Sequence, residues 1–230
     1  MHASKLPQHI GFVMDGNRRW AAAHGKSATD GHKQGYEAFR QISELVLDKG
    51  IMVATFWAFS TENWKRPRQE IFALMKLLKH ALRTELKRFM ERGIRFNALG
   101  RIAAFPFDVR REIKRAIEET KTNTKGVLNI GLNYGGREEI VDAIKGIVKN
   151  GFSPNKITAQ LVNRFLYAPD LPEPDLIIRT SGEQRSSGFM LWQSPYAEWV
   201  YSPKLWPEYS ETDLDAALDE YARRKRNFGA

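Results

Sequence analysis

The 230-residue chain contains no cysteine, which excludes disulfide staples, thiolate nucleophiles, zinc fingers and iron–sulfur ligation together. Nowhere does it hold a run of about 18 apolar residues that could span a bilayer. Its opening segment, MHASKLPQH, lacks the apolar stretch of a secretory signal, so the expected location is cytoplasmic. The 17 glycines and 10 prolines are scattered and form no linker. With no internal repeat either, a single domain over 1–230 is the expected organisation. Acidic charge is in deficit: 27 Asp+Glu against 36 Lys+Arg leave a net +9, which favours an anionic partner such as nucleic acid, a phosphorylated small molecule or an acidic membrane surface. The Walker loop, GxGxxG after a strand, HExxH and GxSxG are all missing, so nucleotide-cofactor, zinc-protease and hydrolase readings lack their motifs.

What is present is a regular alternation. Apolar, β-prone stretches at 10–14, 52–59, 94–99, 127–132, 175–179 and 198–202 read as strands. Helical periodicity falls at about 36–49, 69–92, 108–120, 138–149, 157–167 and 211–225, the last opened by Ser210 or Thr212 as N-cap. Short buried strands alternating with helices predict an α/β domain with a largely parallel central sheet flanked by helices. In such sheets ligands bind beyond the carboxyl ends of the strands. Four of those ends carry unusual loops: Asp15-Gly16-Asn17-Arg18-Arg19-Trp20, Ser60-Thr61-Glu62-Asn63-Trp64-Lys65-Arg66, Asn133-Tyr134-Gly135-Gly136-Arg137, and Arg179-Thr180-Ser181-Gly182-Glu183-Gln184-Arg185.

The first loop joins a strand to a helical segment, so its backbone N–H groups can cradle phosphate oxygens while Arg19 adds charge-assisted bonds. Asp15 is the odd residue there. A carboxylate beside a phosphate is repulsive unless a cation bridges them, and Mg²⁺ held by one or two carboxylates plus phosphate oxygens is the ordinary solution; a plain helix cap is the competing reading. Arg179, Arg185, Ser186 and Ser187 lie within nine residues and suit a loop folded round one diphosphate, with Glu198 beyond them as a metal ligand. His32, after Gly31, is placed to donate to phosphate or to serve as a structural hydrogen-bonder. The stretch Phe59-Ser60-Thr61-Glu62-Asn63-Trp64 mixes aromatic and polar groups and suits an apolar substrate with a polar reacting end, although packing accounts for its aromatics equally well.

These residues resemble the cis-prenyltransferases. The resemblance covers nearly the whole chain, in HIGFVMDGNRRWA (9–21), GHKQG (31–35), FWAFSTENWKRP (56–67), NYGGREEIVDA (133–143), PDLIIRTSGEQR (174–185), FMLWQSPYAE (189–198), LWPE (205–208) and RRKRNFG (223–229). It implies condensation of isopentenyl diphosphate with an allylic diphosphate, farnesyl or geranyl, to a polyprenyl diphosphate with a new cis double bond, for lipid-carrier synthesis. It also implies Mg²⁺ as cofactor, a homodimer, a hydrophobic tunnel between sheet and helices, and transient contact with a membrane surface for product release. By the resemblance Asp15 holds the metal at the allylic diphosphate, which Gly16, Asn17, Arg19 and His32 bind with help from Arg18 and Trp20. Ser60, Asn63 and Arg66, flanked by Phe59 and Trp64, sit at the reacting end. Arg179, Arg185 and Ser187 bind the isopentenyl diphosphate, and Glu198 helps place its metal, from across the dimer interface in one arrangement. The DDxxD pair of trans-type prenyl synthases is absent.

Three positions depart from the usual bacterial long-chain pattern: Ala28 stands where most members carry an arginine, Arg18 where many have glycine, and Gly188 where asparagine precedes the phenylalanine. All three look similar to a short-chain, farnesyl-type branch, which stays open as the alternative product class. If diphosphates bind at the strand carboxyl ends, the hydrocarbon runs toward the amino ends. Ile94 and Val127 are then expected at the tunnel floor, with Ala58, Phe72 and Met75 on its wall; the competing reading is plain core packing. Two other functions compete with this one. A nucleic-acid binder predicts arginines on an exposed stripe, whereas the clusters here fall in strand-end loops, so no nucleic-acid partner is expected. A catalytically silent partner subunit predicts loss of Asp15 or of the 179–187 loop, and both are present.

Overall fold

In the computed structural model the described residues are 6–225; the first five residues of the opening segment and positions 226–229 of the RRKRNFG block lie outside them. Six strands, β1 (His9–Val13), β2 (Val53–Ser60), β3 (Ile94–Leu99), β4 (Gly126–Tyr134), β5 (Leu176–Arg179) and β6 (Glu198–Tyr201), pair in the order β3-β4-β2-β1-β5-β6, every pair parallel. The helices are α1 (Asn17–Ala23), α2 (Ala28–Asp48), α3 (Arg68–Arg92), α4 (Phe107–Thr120), α5 (Gly136–Lys149), α6 (Ala159–Asn163) and α7 (Glu211–Arg223). This is the expected α/β architecture. None of the described helices is long and apolar enough to cross a membrane.

Side-chain alternation along the strands splits the core into two layers. Ile10 and Phe12 of β1, Ala54 and Phe56 of β2, and Leu176 and Ile178 of β5 pack on one face against Phe39 of α2, Leu82 of α3, Val109 of α4 and Leu214 of α7. Phe12 and Phe56 are direct register partners and stack at 4.6 Å. On the other face Val13 and Ile177 meet Phe189 and Met190, with α5 and α6 beyond. A polar chain threads this second layer across four strands. Asn97 donates to Asn129 (3.0 Å), Asn129 donates to Thr55 (3.0 Å), and Thr55 meets His9 Nε2 at 2.8 Å. His9 Nδ1 then donates to the Pro172 carbonyl at 2.7 Å, a direction fixed because a carbonyl can only accept.

Two boundaries differ from the sequence expectation. α2 starts eight residues earlier than the periodicity suggested, because Ser27 and Asp30 form a reciprocal capping box and Gly31 and Gly35 lie inside the helix. Those glycines read as breakers, yet close approach demands them: a Cβ at 31 would lie 2.2 Å from the Asn17 carbonyl oxygen, and one at 35 would lie 2.2 Å from Asn17 Oδ1. α6 covers only five of the eleven residues expected at 157–167. The Ser210 cap of α7 is as expected, its hydroxyl accepting from the Asp213 N–H.

β1 lies between β2 and β5, and the chain leaves β1 toward β2 but reaches β5 only after β4. The sheet therefore has its topological switch point at the carboxyl ends of β1 and β5, where a crevice must open. Asp15 and the loop after Arg179 flank it.

Candidate active site

Asp15 follows β1 in a turn that Thr180 clamps: its N–H donates to Thr180 Oγ1 at 2.9 Å, and the Thr180 hydroxyl donates back to the Asp15 carbonyl at 2.7 Å. Gly16 then adopts a left-handed conformation (φ 114°), which a side chain would strain and for which Leu205 leaves no room, and α1 begins. Asp15 does not cap α1: Gly16 holds the N-cap position with no side-chain cap bond, which removes the helix-cap reading of Asp15. Its carboxylate instead meets two guanidiniums, Arg179 at 3.0 Å and Arg19 at 3.5 Å.

Arg179 is nearly sealed, with 4% of its side chain exposed. Beside Asp15 it donates to the Arg185 carbonyl (2.5 Å) and to Ser187 Oγ (2.8 Å), so it folds the 180–187 loop round itself. That loop is strained: Ser181 (φ 77°), Ser187 (φ 50°) and, just beyond, Met190 (φ 45°) all lie in the left-handed region. Such strain in non-glycine residues clusters at functional sites. Arg19 ties the two loops together, donating to the Ser181 carbonyl and hydroxyl and pairing with Glu183 at 3.4 Å. Arg185 turns outward and pairs with Glu183. Arg19, Arg179, Arg185, Ser187 and Asp15 are thus brought together at one edge of the sheet.

A second cluster lies across the crevice. His32, 8% exposed on α2, points Nε2 at Glu70 Oε1 (3.0 Å) on α3, which also takes Arg66 at 3.2 Å. Burial is the main cause that holds the His32 imidazole below its usual range, aided by Arg66 and Arg18 against the pull of Glu70. For Glu70 burial acts upward, and the His32 hydrogen bond with the Arg66 and Arg18 charges outweighs it, holding the carboxyl below its usual range. Arg18 itself is exposed at the end of this cluster. Glu70 was not foreseen from the sequence; its one signal is the i, i+4 spacing from Arg66.

Between the clusters an apolar cavity of about 140 Å³ enters the protein, with Asn17 and His32 near its mouth. Ala58 and Met75, two of the three residues expected on a wall, line it together with Phe59, and the Phe89–Phe96 stack at 6.0 Å lies at its deep end. Ile94 and Val127 do not line it, because Phe96 stands two residues nearer the mouth on β3. Phe72 does not either, its side chain facing out at 63% exposure. Ser60 and Asn63 form the capping box of a 3-10 turn after β2 (Ser60 N–H to Asn63 Oδ1, 3.1 Å). Trp64 packs behind Phe59 and donates to Asn133 at 2.9 Å. Trp20 is buried against His24 and borders an outer groove, away from the cavity.

Glu198 is not brought to Asp15 within the chain. It opens β6, its N–H bonding the Asp175 carbonyl at the amino edge of the sheet, and its carboxylate pairs with Arg224 at 2.7 Å. Among the described residues no three His, Asp or Glu side chains converge as a metal cage. A single part-exposed carboxylate with guanidiniums around it fits instead the mode of Mg²⁺ binding in which substrate phosphates and waters complete an oxygen shell.

A family described as putative undecaprenyl diphosphate synthase matches residues 13–229. An isoprenyl transferase of Heliobacterium mobile is 44% identical over 229 residues, covering 98% of this chain and 88% of that one. A Pasteurella multocida protein named ditrans,polycis-undecaprenyl-diphosphate synthase, (2E,6E)-farnesyl-diphosphate specific, is 42% identical over 230 residues, covering 98% and 96%. Lavandulyl diphosphate synthase from Lavandula x intermedia, solved with dimethylallyl diphosphate, superposes with a TM-score of 0.93 at 34% identity, covering 98% and 99%. A probable undecaprenyl diphosphate synthase from Campylobacter jejuni gives 0.81 at 31% identity, covering 98% and 99%.

Proposed function

The chain belongs to the undecaprenyl diphosphate synthase family of cis-prenyltransferases, and on that premise we propose that it joins isopentenyl diphosphate to an allylic diphosphate with formation of a cis double bond. The observation that carries this reading is the juxtaposition of one carboxylate, Asp15, with Arg19 and Arg179 at the mouth of an apolar cavity. Anionic heads and a hydrocarbon tail need those two environments side by side.

In this reading Arg19, His32 and the Gly16–Asn17 turn hold the allylic diphosphate, while Arg179, Arg185 and Ser187 hold that of isopentenyl diphosphate. Asp15 would hold Mg²⁺, which when bound supplies positive charge to the phosphate oxygens. As the allylic C–O bond breaks, negative charge grows on the leaving diphosphate, and Arg19 is already positioned to stabilise it. His32 donates its Nε2 proton to Glu70, so it offers a proton at Nδ1 only as imidazolium. A diphosphate arriving beside it favours that form, and Glu70 is then its positioning residue. The isopentenyl double bond attacks the allylic carbon, a C–C bond forms, and one proton leaves the adjacent carbon. Neither Ser60 nor Asn63 is a base, so the released diphosphate accepts that proton.

A homodimer is part of the proposal. Val141, Ile144 and Val148 put an exposed apolar stripe on the outer side of α5 at 45%, 50% and 69% exposure, which a second copy would cover. A short-chain product is the second reading, favoured by the small cavity and by the 0.93 superposition on lavandulyl diphosphate synthase against 0.81 for the Campylobacter protein. The test is incubation with labelled isopentenyl diphosphate, Mg²⁺ and allylic primers of five, ten and fifteen carbons, with products resolved by length. Metal-dependent incorporation is expected, and no incorporation with any primer refutes the assignment.

A further inference from the structure

The apolar cavity has a neighbour. On the outer side of α2 and α3 lies an open groove of about 890 Å³, bordered by Trp20, Lys33, Ala73 and His80. Four residues border both spaces: His32 and Tyr36 of α2, Leu74 and Leu77 of α3. The wall between the cavity and the groove is therefore one side chain thick.

Helix geometry explains why the groove exists. Two polar ties join α2 to α3 beside it, His32 to Glu70 and Tyr36 to Glu85. At 1.5 Å per residue these ties span about 6 Å of α2 but about 22 Å of α3, so the helices cannot run parallel between them and a wedge is left. Tyr36 stands at the lower end of that wedge. Its hydroxyl donates to Glu85 Oε1 at 2.8 Å, and its ring rests edge-on to His80. Glu85, 3% exposed and set among apolar residues below the mouth of the cavity, is fixed by Arg40 at 3.0 Å and Arg88 at 2.5 Å. Desolvation and the Glu85 carboxylate together push the Tyr36 phenol well above its usual range, so it remains a donor.

Size makes this wall consequential. An apolar cavity of about 150 Å³ holds one benzene-sized molecule, so 140 Å³ takes roughly one five-carbon unit. A longer chain must displace something. Downward it meets Phe89 stacked on Phe96, with Phe96 2% exposed and fully packed behind. Sideways it meets a half-buried tyrosine with open space beyond.

We infer that Tyr36 is a side door, latched by Glu85, and that product length depends on whether the growing hydrocarbon is held by this ring or passes it into the α2–α3 groove. The inference rests on the prenyltransferase reading above. Its test uses the full-length protein with labelled isopentenyl diphosphate, Mg²⁺ and geranyl diphosphate. Tyr36→Ala is expected to lengthen the dominant product by at least one five-carbon unit, and Tyr36→Phe to lengthen it less. Adding Ala73→Trp, which fills the groove from α3, is expected to return the Tyr36→Ala distribution to that of the unaltered protein. If the unaltered protein incorporates label but Tyr36→Ala gives the same product lengths, there is no door. An unchanged Tyr36→Phe overturns the latch. If lengthening survives Ala73→Trp, the chain runs downward and the groove route is wrong. Failure of the unaltered protein with every primer would instead refute the parent reading.

Discussion

Replacing Asp15 by alanine acts on two quantities that separate experimentally. The first is stability. The Asp15 carboxylate neutralises Arg179 at 3.0 Å, and that guanidinium is only 4% exposed. Breaking a fully buried ion pair costs about 3–5 kcal/mol, and breaking an exposed one at most about 1 kcal/mol. Here Asp15 is 34% exposed, and Arg179 keeps the Arg185 carbonyl and Ser187 hydroxyl. The expected loss is therefore about 1–2 kcal/mol, read as a shift in the urea midpoint at constant slope. The second quantity is turnover. Removing a group that stabilises transition-state charge costs on the order of 100-fold or more. Asp15→Asn separates the two: an amide oxygen still accepts from Arg179, so most of the stability returns, while a neutral ligand leaves turnover as low as in Asp15→Ala. A folded Asp15→Ala protein with near-normal, still Mg²⁺-dependent turnover would refute the assignment of Asp15 to the metal.

Arg185→Ala should raise the KM for isopentenyl diphosphate far more than that for the primer, with Arg19→Ala biased the other way; steady-state kinetics giving equal effects in both variants would mean one shared anion site. His9 is buried and its imidazole is pushed down to about 4, burial being the main cause, so the folded state resists protonation that the unfolded chain accepts at about 6.5. Stability is then full above that pH and falls as the pH drops, by about 3 kcal/mol at pH 4. Urea titrations of the unaltered protein and His9→Gln should diverge in pH slope over that window, and parallel slopes would dismiss His9 as the cause. Gly35→Ala should destabilise by about 1–3 kcal/mol through overpacking on Asn17 Oδ1, and adding Asn17→Ala should recover most of it in the same melt; a purely additive double variant would show the clash is not there.

How much of this was legible in the sequence differs from element to element. The strand-end loops were legible because an all-parallel sheet puts its chemistry at one edge, and Asp15, Arg19, Arg179 and Ser187 do converge there. The start of α2 was not, because glycine reads as a helix breaker, and only the close approach of Asn17 shows why Gly31 and Gly35 belong inside a helix. The cavity floor was misplaced for a related reason. Ile94 and Val127 begin their strands as a floor should, but the stacked rings of Phe89 and Phe96 close the space first, and a contact between a helix and a strand leaves no trace in strand periodicity.

Glu70 and Glu85 were hidden more thoroughly. On a surface helix such as α3, acidic residues at intervals read as the solvated face, and nothing in the sequence separates these two from Glu91. Yet both are buried, Glu70 held by Arg66 before α3 and by the His32 imidazole of α2, Glu85 by Arg88 of its own helix and by Arg40 of α2. A buried carboxylate is costly unless such partners are fixed, so α3 can keep Glu70 and Glu85 only while α2 presents His32 at one level and Tyr36 and Arg40 at the other. The two ties thereby set the distance between the helices at both ends of the cavity. The residues between them that border both spaces, Leu74 and Leu77, are apolar. It follows that the wall is firm at the mouth, where a diphosphate must be gripped, and rests at its lower end on the Tyr36–Glu85 bond, where a lengthening hydrocarbon presses.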